Sequence, residues 1–162
     1  MGEVGSGFAG FDEGRVGPSW HWLHPRPGEV VDWLVVSSEP LWFTGHFQAG
    51  RMMVCNTNLC SMCALGVGKQ RRWVLVGIDR KSKEVQAWEF GDSVAEKVRA
   101  WAEKYGSCIG LNLEIRRAGD SVHSKLLVEC MEVRKVSESL VSRVPTVMEV
   151  FTLTFGLTSN TP

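Results

Sequence analysis

The chain has 162 residues, its 18 Lys and Arg cancel its 18 Asp and Glu, and 44% of it is apolar. That composition excludes wholesale disorder and the overall basic balance of a nucleic-acid-coating protein, and the length suffices for one sizeable core. With no long apolar run and no basic or apolar leader in the first twenty residues, neither a membrane span nor a signal peptide is expected. The expected setting is therefore cytoplasmic and reducing, without a membrane partner, where five cysteines point to metal binding rather than disulfides.

In chain order, residues 1–18 are glycine-rich and read as a flexible leader. Pro18 to Pro27 holds three prolines, two tryptophans and two histidines and should lie extended. Val30 to Val36 reads as a mostly buried strand, and Leu41 to Phe47 as a second strand or strand end. Residues 48–70 show no apolar period and read as a loop with its own organisation. Arg72 to Asp79 and Glu84 to Phe90 flank a short basic turn, the pattern of a hairpin.

Asp92 to Tyr105 is the clearest helix. Asp92, or Ser93 with Glu96, can cap it; Val94, Val98, Trp101, Ala102 and Tyr105 form one apolar face; Gly106 stops it. Strands follow at Gly110 to Arg117 and Lys125 to Val133, joined by a turn at Ala118 to Ser121. After a polar connector, Thr146 to Phe155 fits either a helix or a strand. The count predicts a mainly β, α+β chain: an OB-like, five- to six-stranded Greek-key barrel with one inserted helix and a small zinc-binding loop. The barrel domain would span residues 19–136, with 137–162 as a C-terminal extension.

The densest chemical signal lies in that loop, at about residues 46–63. His46, Cys55, Cys60 and Cys63 are spaced H-x8-C-x4-C-x2-C, a set that closes a tetrahedral shell around one structural zinc and leaves no open position for catalysis. His21, His24 or His123 could replace His46 at greater sequence distance. Cys108 and Cys130 sit in or beside apolar strands and read as small core residues. A zinc deaminase is excluded, because Gln48 stands where its H-x-E glutamate belongs and Leu59 where its proline precedes C-x-x-C. No other catalytic motif is present, so a non-enzymatic protein is expected.

Charge is unevenly placed. Residues 1–45 hold six acids and two bases, whereas 46–83 hold seven bases and only Asp79. Single-stranded nucleic acid is held by a basic groove and by aromatic platforms under the bases. Arg51, Lys69, Arg71, Arg72, Arg80, Lys81, Arg116 and Arg117 are the candidate phosphate contacts, and Trp42, Trp73 and Trp88 the candidate platforms. Trp33 and Trp101 read as core.

Together these features resemble the phage-type zinc-bearing single-stranded DNA-binding proteins, the family of the helix-destabilising proteins of T-even phages. His46, Cys55, Cys60 and Cys63 match that family's one-histidine, three-cysteine set, more tightly spaced. The helix ending in a Tyr105-Gly106 step and the strand ending Arg116-Arg117-Ala118-Gly119 match in order. The likeness covers about residues 30–135 and implies an OB fold, single-stranded DNA as partner, and a place among replication, recombination or repair proteins. The family's tyrosine-rich cleft, basic arm and acidic tail have no counterpart here, so cooperative assembly and tail-mediated recruitment are not implied. The alternative is a zinc-stabilised protein-interaction module that binds no nucleic acid.

Overall fold

A computed structural model describes residues 19–55, 59–121 and 124–156, so the expected leader and His123 lie outside the described residues. The elements are β1 Trp20–Trp22, β2 Val30–Val35, β3 Leu41–Gln48, β4 Arg51–Val54, α1 Ser61–Ala64, β5 Gln70–Asp79, β6 Val85–Phe90, α2 Asp92–Tyr105, β7 Leu111–Arg117, β8 Leu126–Val133, α3 Glu138–Arg143 and α4 Val147–Phe155. The chain is mainly β, as composition and pattern predict.

One sheet gathers all eight strands in the order β1-β6-β5-β2-β7-β8, with β3 on β5 and β4 on β3. The pairing path is open, with β1 and β8 at its ends. Among the described residues, eight strands and four helices thus replace the expected five or six strands and one helix.

The ten-residue β5 carries a fork. Its last residues, Gly77 to Asp79, pair with Trp33 to Val35 of β2, while its first, Gln70 to Val74, pair with Leu41 to Gly45 of β3. Between the two partners the Ser37 hydroxyl takes over from the ladder, accepting from the Val76 amide at 3.0 Å. Pro40 follows, where a missing amide breaks the edge. From β2 the sheet continues to β7 and β8; from β3 it continues only to the short β4.

Strand alternation sends β5 and β6 side chains to two separate cores. One face carries Trp33, Leu75, Trp88, Phe90, Leu113 and Ile115 under Ala95 and Val98 of α2. The other carries Val74, Val76, Ile78, Val85 and Ala87 under Leu140 of α3 and Phe151 of α4. Burial on both faces is why WVLVGI reads as a continuous apolar run rather than an alternating one. The segment expected as a C-terminal extension therefore packs into one core, to which it supplies Leu140, Val144, Val150 and Phe151.

Several local expectations change. Trp101 is only half-buried at the edge of the first core. The expected polar connector after Val136 contains α3, whose N-cap Ser137 accepts from the Leu140 amide. Thr146 to Phe155 is a helix, settled by a reciprocal capping box between Thr146 and Glu149. The N-cap of α2 is Gly91 rather than Asp92, whose carboxylate is engaged elsewhere. Gly106 ends that helix with φ 91°, as its position predicts. Among the described residues no helix is long and apolar enough to cross a membrane.

Candidate metal centre and nucleic-acid face

The loop expected at 48–70 is a hairpin followed by one helical turn. β3 and β4 join through Ala49 and Gly50, both with positive φ (54° and 76°), the backbone of a two-residue hairpin turn. The hairpin holds Cys55 in place through its amide, which donates to the Thr44 carbonyl at 2.8 Å. Cys60 then caps α1, so its sulfur and that of Cys63 project from a single turn. Gly66, with φ 76°, reverses the chain so that Val67 and Gly68 pass over His46.

His46 sits on β3 with its side chain fully buried. Its Nδ1 lies 3.1 Å from the Val67 carbonyl and 3.0 Å from that of Gly68. Only a protonated nitrogen can face two carbonyl oxygens, so Nδ1 donates and Nε2 is left with its lone pair outward. That lone pair points at Cys60 Sγ, 3.4 Å away, and Cys63 Sγ, 3.5 Å away. Cys55 Sγ is 3.6 Å from Cys63 Sγ, and all four ligand atoms lie within 4.8 Å of one another.

These separations fit a tetrahedron. Metal–sulfur bonds of about 2.3 Å and a metal–nitrogen bond of about 2.0 Å give sulfur–sulfur edges of about 3.8 Å and nitrogen–sulfur edges of about 3.5 Å. The sulfurs are too far apart for disulfides, and none of the five cysteines is in one. Without a cation, burial and the neighbouring thiols push the Cys55 thiol up to about 11. A bound dication reverses that balance by favouring thiolates. The four residues expected to hold a metal are thus brought together with the geometry to do so. Cys108 is buried in the first core, where burial and then the Glu39 charge push its thiol up to about 11. Cys130 packs half-buried on β8 opposite Leu113.

The expected nucleic-acid residues do not form one groove. Lys69, Arg71 and Arg72 lie at the start of β5 and Arg80 and Lys81 just past its end, about 30 Å away at the usual strand rise. Trp88 is 1% exposed and packs edge-on against Trp33 at 5.6 Å, so it is core and no platform. The pairing of β6 with the two-sided β5 accounts for this, since both its faces are covered.

Several bases have internal partners. Arg72 is paired with Glu89 at 2.7 Å and half-buried. Arg80 reaches Asp32 and Asn112, each at 3.3 Å. Arg117 donates to the backbone carbonyls of Pro25 and Ser124, tying down two loops. Arg116 lies 3.9 Å from Glu114 on its own strand.

What remains lies on β3, which carries His46, on the paired start of β5, and on the hairpin and loop around the cluster. Trp42 of β3 and Trp73 of β5 are directly opposed in register, their rings 6.4 Å apart, and Trp42 is 57% exposed. Arg71 stacks over the Trp73 ring at 5.6 Å while bonding Asp92 through Nε and Nη2 at 3.0 and 3.3 Å. The Trp73 indole donates to the same carboxylate at 2.7 Å. Arg51 and Lys69 are exposed at the hairpin and at the exit of the metal loop.

The pattern gives no sign of the exposed apolar side chains Met53, Leu59 and Leu65 in this region, where Phe47 is exposed as well. In a loop without period, nothing in the pattern distinguishes them from buried ones. No protein family, curated protein or solved structure matches the chain.

Proposed function

We propose that this chain is a non-enzymatic, OB-like single-stranded DNA-binding protein whose four-residue centre holds one structural zinc. Three sulfurs and an imidazole suit zinc, and with four protein ligands the ion has a closed shell. His46, Cys55, Cys60 and Cys63 would hold it, and its work would be to fix the β3–β4 hairpin against the start of β5.

One observation carries the DNA reading: the adjacent Trp42 and Trp73 rings on β3 and the paired start of β5, Trp42 more than half exposed. Bases would stack on Trp42 and beside Trp73, and Arg51 and Lys69 would meet the backbone phosphates, Arg71 being neutralised by Asp92. Trp88, Arg72, Arg80 and Arg117 have no part in this reading, because each is engaged inside the fold. Lys81 and Arg116 lie away from the platform, on the turn after β5 and on β7.

Oligo-dT should quench tryptophan fluorescence, and Trp42→Ala should weaken binding about tenfold or more, since one stacked base contributes ~1–3 kcal/mol. Two phosphate contacts predict a salt slope of about −1.4 in log K against log salt. Absence of quenching at low salt would overturn the reading. The exposed Phe47, Met53, Leu59 and Leu65 would then favour the second one, a zinc-stabilised module that binds a protein through this apolar rim.

A further inference from the structure

A cleft of about 750 Å³, lined by Trp73 but not by Trp42, lies between α2 and residues 38–40. Its floor is apolar: Val98 and Cys108 are almost fully buried and Ala95 nearly so, with Ala102 beside them. Trp73 forms one end wall and Pro40 part of the side. Around the rim stand four carboxylates, Glu39, Asp92, Glu96 and Glu103, against the guanidinium groups of Arg71 and Arg99. Arg71 and Asp92 neutralise each other through their paired hydrogen bonds. The remaining rim carries three negative charges and one positive.

This charge is wrong for a phosphate backbone, so the cleft is not a continuation of the proposed DNA face. Its potential reaches the floor, where the Glu39 charge adds to burial in raising the Cys108 thiol. An occupant must bring positive charge to the rim and apolar groups to the floor. The cleft follows α2 from Asp92 to Gly106, about 20 Å at 1.5 Å per residue. That length accommodates about six residues of extended chain.

We propose that this cleft docks a basic peptide segment of a partner protein, with lysine or arginine alternating with apolar side chains. The basic groups meet Glu39, Glu96 and Glu103, and the apolar ones cover Val98 and Ala102. The proposal is independent of the DNA reading, and a partner held here would sit one tryptophan away from the proposed platform.

The test is fluorescence anisotropy of a labelled Lys/Leu-alternating hexapeptide with the full, zinc-loaded chain. Saturable binding is expected, at least tenfold tighter than that of hexalysine or a Glu/Leu-alternating hexapeptide. The exposed double reversal Glu96→Lys, Glu103→Lys should weaken it at least tenfold without shifting the melting temperature, and the milder Glu96→Gln, Glu103→Gln pair should give a smaller loss. Oligo-dT binding, measured separately, should not weaken in either variant. The proposal is overturned by no saturable binding, by hexalysine binding equally well, or by indifference to the reversals. Displacement of the peptide by oligo-dT together with loss of oligo-dT binding in the Gln pair would also overturn it, by making the cleft part of the DNA face.

Discussion

The two branches of the forked sheet are held by different forces. The branch from β5 through β2 and β7 buries Trp33, Leu113 and Ile115 completely beneath α2. The branch through β3 and β4 ends in a knuckle whose helical turn buries no side chain at all. There Leu59 is 89% and Leu65 70% exposed, and His46 of the candidate metal cluster is fully buried. A segment that removes so little apolar surface from water cannot offset its own ordering entropy. On the proposed reading, a metal held by these four convergent side chains would do there what burial does elsewhere, so the two branches should fail separately.

Removing the metal should have the largest effect, because structural zinc sites contribute about 10–16 kcal/mol in isolated fingers. With a chelator, amide-exchange protection should vanish over residues 51–55 and 59–68 while β6, β7 and α2 keep theirs. Cys60→Ser with Cys63→Ser should reproduce that pattern, and metal analysis should drop from about one ion per chain to none. Loss of protection throughout the sheet would show that the branches are not independent.

The converse experiment acts on the core that the other branch shares with β6. Trp88 contacts Trp33 and Phe90, with ring centroids 5.6 and 4.7 Å away. Trp88→Ala should cost about 3–5 kcal/mol in urea unfolding. At low urea the folded fraction should still bind one metal. A smaller and more local test is Gly77→Ala, at the fork itself. A Cβ there would lie 2.5 Å from Trp33 Cε2 and 2.8 Å from the Leu34 carbonyl oxygen, which is backbone and cannot turn aside. Overpacking of about 1–3 kcal/mol is expected, again without loss of metal.

The same contrast explains what was legible in the sequence. The metal set was readable because cysteine and histidine spacing is chemistry in one dimension. The α2 helix was readable because its apolar period and terminal Gly106 agree. The β4 strand was not, since its hairpin turns through Ala49-Gly50 rather than Asn-Gly and its four residues alternate only weakly. Trp88 was misread as a platform because a two-sided strand presents no polar face to betray its burial. Pairing of Arg80 with Asp32 and Asn112, 48 and 32 residues distant, is a product of strand order that local pattern does not contain. The acid-rimmed cleft had a trace in the sequence, Asp92, Glu96, Arg99 and Glu103 at helical spacing, overshadowed by the apolar stripe beside it.

Where the two branches meet at the proposed DNA face, one carboxylate links them. Asp92 belongs to the first turn of α2 and bonds Arg71 and Trp73 at the start of β5. The hydrogen bonds from Arg71, then that from Trp73, hold its carboxyl below the usual aspartate range. A group with a depressed folded pKa favours the folded state fully above the unfolded value, about 3.9. That contribution fades as pH falls through the folded value. Melting temperatures of the native chain and Asp92→Asn should therefore differ by a constant small amount at neutral pH and converge below about pH 4. The pair is half exposed and salt-screened, so this is the smallest effect. Because the Trp73 indole donates to the same carboxylate, its emission should shift over the same pH range and stay flat in Asp92→Asn. Parallel melting curves down to the acid limit would mean that Asp92 joins nothing, and that α2 and the tryptophan pair are neighbours without being coupled.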